Sequence, residues 1–180
     1  MKHTIKLETT LLLILGLSIT QFQCQITQKI NPNFSQVEFD KLADEVSNGS
    51  VPNISAKMVK MEKGSFIILD CREVNEYEIS HIEDARRVGF DDFDLSQIDD
   101  IPKNAKIVTY CTVGKRSEKI GEKLQDAGYT DVHNLHGSIL SWMNEGNPVI
   151  DSQGRKTNKM HGFKKELGFE NHAKIGEIVY

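Results

Sequence analysis

The sequence predicts an α/β fold, a three-layer domain with a central parallel sheet flanked by helices on both faces. Three observations predict it. Short runs at Phe66-Ile67-Ile68-Leu69 and Ile107-Val108-Thr109-Tyr110 show little polar alternation, as interior strands of a parallel sheet do, and Val132 to Leu135 reads as a further strand. Helix-length segments with apolar residues at helical spacing separate these runs, which implies crossover connections. The chain has 180 residues, enough for one ordinary core and short for two.

In chain order, Lys2 and Lys6 precede an apolar run from Leu11 to Ile19 that is too short to span a bilayer comfortably. Residues 1–23 therefore read as a signal peptide or lipoprotein signal. Ser18 and Thr20 are small residues suited to a general cleavage site. Cys24 stands where a lipoprotein signal has its lipidated cysteine, but Gln23 occupies a position usually held by a small residue. The expectation is export to the bacterial envelope or periplasm, with membrane attachment through the N-terminus if Cys24 is lipidated. An uncleaved anchor, or a cytosolic protein with an apolar start, is the alternative.

Residues 24–49 read as a linker and a helix, in which Ser35 and Glu38 can form a capping box ahead of Phe39, Leu42, Ala43 and Val46, with Gly49 as the stop. Residues 50–150 hold the main domain. Ser55 caps a short helix through Met61, Gly64 breaks the chain, and the Phe66 run ends at Asp70. Glu73 to Ser80 reads as helix, Ala85 to Phe90 as strand, and Asp91 to Asp99 as an acidic loop or short helix. The Ile107 run leads directly into Cys111 and a glycine-containing turn. Ser117 to Ala127 follows as a helix stopped by Gly128, then the Val132 strand, then a helix from Gly137 to Glu145. Residues 151–180 lose periodicity and read as a C-terminal extension, a packed or partly mobile tail in the plainer reading.

Over the whole chain 38% of residues are hydrophobic and 27% charged, which describes a soluble globular protein once the first two dozen residues are set aside. A net charge of −4 gives no general attraction to nucleic acid phosphates. Of three cysteines, Cys71 and Cys111 fall in the main domain. No disulfide framework and no zinc-type spacing is present, so neither metal nor cofactor is expected and a lone reactive thiol is the better reading.

The segment Tyr110-Cys111-Thr112-Val113-Gly114-Lys115-Arg116-Ser117 puts that thiol at the carboxyl end of a strand and just before a helix, the edge at which open α/β sheets bind ligands. A turn there can curl its amide N–H groups inward, so a cysteine at its base faces several donors and the positive end of a helix dipole. Both favour thiolate over thiol, and Lys115 and Arg116 add positive charge.

These residues resemble the active-site loop of the rhodanese family: cysteine, two residues, glycine, one residue, arginine and a small residue. Asp70-Cys71-Arg72-Glu73 resembles the family's Asp-x-Arg-Glu. Glu76 to Ile82 with Ala85 resembles its Glu-aromatic-x-x-Gly-His-Ile-x-Gly-Ala stretch, and Leu135-His136-Gly137-Ser138 with Trp142 its Leu-x-Gly-Gly segment. The motifs occur in the family's order between about Ile54 and Val149. Ser80, Asp84 and Ser138 stand where the family commonly has glycine, which puts local backbone geometry at issue.

The resemblance implies a rhodanese-like fold and a sulfurtransferase in which Cys111 takes sulfane sulfur from a small anionic donor such as thiosulfate, or from a persulfide. It then passes the sulfur to a thiol or cyanide acceptor. Thr112, Val113, Gly114, Lys115, Arg116 and Ser117 would form the anion cradle, with Arg116 as electrostatic support and Asp70 and Arg72 organising the loop. Phosphatases that share this fold have five residues between cysteine and arginine, whereas four separate Cys111 from Arg116, a loop tight for phosphate. Cys71 reads as core, with a redox partner for Cys111 as the lesser reading. His81, His133 and His136 read as structural or exposed, and Trp142 as a core anchor. The other class of function is a noncatalytic module using this fold for binding or redox sensing.

Overall fold

A computed structural model describes residues 30–180. The segment 1–23 and Cys24 lie outside the described residues. Among those described, no helix is long and apolar enough to cross a membrane.

The sheet contains β1 (Asn53–Ile54), β2 (Ile67–Asp70), β3 (Arg86–Arg87), β4 (Lys106–Tyr110) and β5 (Asp131–Leu135) in the order β1-β5-β4-β2-β3. Every pairing is parallel. Because β4 lies between β2 and β5, the residues that follow it are flanked by other strand ends. The strand expected over Ala85 to Phe90 shrinks to two residues. The Val88 and Gly89 amides both turn onto the Asp70 carbonyl, and Gly89 at φ 71° leads the chain away from the sheet.

Helices α1 (Gln36–Val46), α2 (Ala56–Met61) and α5 (Ser138–Asn144) cover one face, while α4 (Lys115–Asp126) and the 3-10 turn Leu95–Ile98 cover the other. Helix α3 (Val74–Ile79) follows β2. The strands alternate between two cores. Ile68, Val108 and Leu135 meet Phe39, Val59, Ile139 and Trp142, whereas Leu69, Ile107 and Val132 meet Ile98, Ile120 and Leu124. The Ser35 hydroxyl accepts the Glu38 N–H at 3.3 Å and the Ser55 hydroxyl accepts that of Met58 at 3.3 Å, so both serines cap their helices, Ser35 through this single bond rather than the reciprocal box expected with Glu38. The chain after α1 is tied to α4 by Glu118, whose buried carboxylate accepts the N–H groups of Asn48 and Gly49 at 3.0 and 2.8 Å.

The end of the main domain and the extension have strand structure that the sequence did not announce. Strands β6 (Val149–Ile150) and β7 (Lys156–Thr157) pair antiparallel, and β8 (Lys159–His161) runs parallel to β9 (Glu177–Val179). Met160, Phe169 and Ala173 are buried against the α5-side core, so the extension is packed on the domain.

Candidate active site

Cys111 directly follows β4, and the next helix begins earlier than its apolar spacing predicts. Helix α4 starts at Lys115, two residues before the expected Ser117, because Gly114 at φ 124° provides the left-handed turn and lets its carbonyl accept the Glu118 N–H at 3.1 Å. The amides of Lys115, Arg116 and Ser117 thus belong to the first turn, where N–H groups have no partner within the helix.

The loop is held from several sides. The Gly114 N–H donates to Cys111 Sγ at 3.2 Å. From α5, Ser138 Oγ accepts the Cys111 N–H at 3.0 Å, and the Ile139 and Leu140 amides donate to the Cys111 and Thr112 carbonyls at 3.3 Å each. From β5, the Asn134 side chain donates to the Gly114 carbonyl at 3.2 Å and accepts from the Ser117 hydroxyl at 2.7 Å. Such bonding leaves the loop backbone little freedom.

Cys111 is only 2% exposed and borders the α4-side core, yet its sulfur meets polar donors. Burial alone pushes its thiol up, but the Arg116 charge, the Ser117 amide and hydroxyl, and the Gly114 amide outweigh it, so the thiol lies below the ordinary cysteine value. Cys71 follows the end of β2, the strand beside β4, and its N–H donates to the Tyr110 carbonyl at 2.8 Å. Fully buried, and facing the negative charge of Cys111, its thiol is pushed well up. Among the described residues, the surroundings thus favour the thiolate at Cys111 and the neutral thiol at Cys71.

Arg116 does not reach outward to a substrate. Its Nη1 and Nη2 donate to Glu76 Oε2 and Oε1 at 2.6 and 2.7 Å, and Nη2 also donates to Thr112 Oγ1 at 3.0 Å. Thr112 Oγ1 in turn donates to Glu76 Oε1 at 3.1 Å. Glu76 enters as part of the resemblance only, and sequence reasoning gave it no role. The signal was present: Glu73 and Glu76 stand at capping-box spacing at the start of a short helix, and the Glu73 N–H donates to the Glu76 side chain at 3.1 Å. Burial raises the Glu76 carboxyl, but the bonds and charge of Arg116 win and hold it below the usual range. Lys115 is exposed at the start of α4, and Val113 is buried.

Asp70 and Arg72 sit one layer further in. Arg72 Nη2 donates to Asp70 Oδ2 at 2.6 Å and to the Ser80 carbonyl at 2.6 Å, both side chains being fully buried. The Tyr110 hydroxyl donates to the same Asp70 oxygen at 2.5 Å and accepts the Ile82 N–H at 3.1 Å. This cluster clamps the ends of β2 and β4 beside the cysteine loop. Of the three positions lacking the family's glycine, Asp84 and Ser138 do adopt left-handed angles, φ 67° and 53°, whereas Ser80 is extended at φ −168° and needs none. Among the histidines, His81 stacks on Tyr77 with ring centroids 3.8 Å apart, and His136 pairs with Asp44. Trp142 donates its indole N–H to the Pro148 carbonyl at 2.8 Å.

Fold and site together define a parallel α/β domain that holds a cysteine with a lowered thiol pKa in an amide-lined loop at the carboxyl edge of its sheet. The sequence model described as rhodanese-like domain matches residues 56–145, and the chain belongs to that family. The rhodanese-like domain of an Anabaena protein has a similar structure, with a TM-score of 0.51 and 25% identity over 56% of this chain and 79% of that one. A tRNA uridine(34) hydroxylase of Aster yellows witches'-broom phytoplasma is 30% identical over 66% of this chain and 40% of the relative. Another from Leptospira interrogans is 39% identical over 47% of this chain and 24% of the relative. The chain thus spans two fifths or less of the length of these curated relatives.

Proposed function

We propose that this chain is a sulfurtransferase that carries sulfane sulfur as a persulfide on Cys111. The observation that carries the reading is the Gly114 N–H held 3.2 Å from Cys111 Sγ within a loop that lowers the thiol. In the first half-reaction the thiolate attacks the outer sulfur of thiosulfate. A Cys111 S–S bond forms, and the sulfur–sulfur bond of the donor breaks with its electron pair leaving as sulfite. In the second, cyanide or a thiolate acceptor attacks the outer sulfur, and the Cys111 sulfur keeps the electron pair as thiolate.

In this reading the amides of Thr112 to Ser117 stabilise the negative sulfur, and Lys115 is the free cation for an anionic donor. Arg116 is a positioning residue that contributes its charge through the loop, while Asp70 and Arg72 fix the strand ends. The curated relatives' action on tRNA is not carried over, because two fifths or less of their length is shared and the chain is acidic. Export is part of the proposal on the strength of residues 1–23 alone, and the mass of the N-terminal peptide from the native host tests it.

A cyanide-dependent thiocyanate assay with thiosulfate, run beside Cys111→Ala, tests the reading. Turnover is expected only with the cysteine, together with an added mass of about 32 Da on the peptide containing it. Absence of cysteine-dependent turnover with any sulfane donor would favour a noncatalytic module. Efficient hydrolysis of an aryl phosphate, lost in Cys111→Ser, would replace sulfur transfer with phosphate chemistry.

A further inference from the structure

The extension after residue 150 lies beyond the stretch matched by the family model, yet it reaches the cysteine loop. The Phe163 ring lies over the Arg116 guanidinium, 4.4 Å from its central carbon to the ring centroid. Edge and face of the guanidinium are therefore both occupied, the edge by Glu76 and Thr112 and the face by Phe163. Phe163 is itself 37% exposed, whereas the Arg116 side chain is 13% exposed, so the ring forms the outer layer.

The position of Phe163 is built rather than incidental. Its backbone is left-handed at φ 63°, a cost for a residue with a bulky side chain. Its N–H donates to His161 Nδ1 at 3.0 Å, and His161 Nε2 lies 3.3 Å from Asn75 Nδ2 on α3, the helix that carries Glu76. Next to it, Gly162 donates its N–H to the Val179 carbonyl at 2.8 Å, and a Cβ there would lie 2.5 Å from Ile178 and 2.6 Å from Tyr180. The tip is thus fixed to β9 on one side and to α3 on the other, and it presents one aromatic ring at the loop.

We propose that Phe163 is a specificity-determining residue: it narrows the approach to Cys111 and selects small inorganic sulfane donors over bulky organic or protein-borne persulfides. The substrate part of this inference rests on the sulfurtransferase reading. The steric part does not. Cys111 is nearly inaccessible in the folded loop, and the extension supplies an outer wall where the loop's own arginine is already covered.

Two measurements on the full chain keep these parts separate. The first is the rate of Cys111 alkylation by iodoacetamide and by a bulky aryl maleimide, read by mass spectrometry on the peptide that carries Cys111. Phe163→Ala is expected to raise the maleimide rate relative to the iodoacetamide rate by about tenfold or more, and Phe163→Trp to lower that ratio. The second is kcat/KM for thiosulfate against an aromatic thiosulfonate, where Phe163→Ala is expected to shift selectivity toward the thiosulfonate in the same direction. Equal changes with small and large reagents in both variants would overturn the inference. A changed alkylation ratio in a protein that transfers no sulfur would uphold the wall and refute the sulfurtransferase reading instead.

Discussion

Glu76 and Arg116, 40 residues apart in sequence, meet through two hydrogen bonds of 2.6 and 2.7 Å, with the Glu76 side chain 1% exposed. The pair fixes in place the arginine whose charge lowers the Cys111 thiol. Removing one partner leaves the other charged and buried, so Glu76→Ala should destabilise the fold by about 3–5 kcal/mol, read from urea unfolding. Glu76→Gln keeps the shape while losing the charge. Its kcat for thiosulfate should fall by about 100-fold through a displaced loop, with a smaller effect on KM.

The pH dependence of Cys111 reactivity follows from the balance around its sulfur. Burial opposes the thiolate, while Arg116 and the donors of Ser117 and Gly114 favour it and win. A group with a lowered pKa is already ionised below its ordinary range, so the alkylation rate should reach half its plateau at a lower pH than a free cysteine does. Arg116→Gln removes the largest favourable influence while burial remains, and the midpoint should move upward. A midpoint unchanged in that variant would show that the amides act alone.

The Asp70, Arg72 and Tyr110 cluster should behave as a structural unit. Tyr110→Phe removes the hydroxyl that serves both Asp70 and the Ile82 N–H, at a cost of about 1–3 kcal/mol. Arg72→Ala strands a fully buried carboxylate and should cost about 3–5 kcal/mol. Activity in both should fall with the folded fraction and recover when temperature is lowered, a pattern separable from loss of a group that meets substrate.

Ser138 carries opposing effects at one residue. Its φ of 53° favours glycine, but its hydroxyl accepts the Cys111 N–H at 3.0 Å. Ser138→Gly trades a lost hydrogen bond of about 0.5–1.5 kcal/mol against relief of a similar strain, and its melting temperature should barely move. Ser138→Ala loses the bond and keeps the strain, so it should melt lower than the glycine variant.

The sequence by itself determined the parallel α/β architecture, because buried strands read as unbroken apolar runs and helices as periodic ones, and both signals are local. It also singled out the turn that holds Cys111, since the strand, the glycine and the following helix that make an amide-lined turn are consecutive residues. Only the tertiary structure decided what surrounds that turn. Glu76 acquires its function by lying across from Arg116, Ser138 by facing the Cys111 amide, and Phe163 by returning from an extension whose short strands carry no period. Those are pairings between distant segments, fixed by sheet order and by which side chains share a buried volume, and no spacing along the chain encodes them.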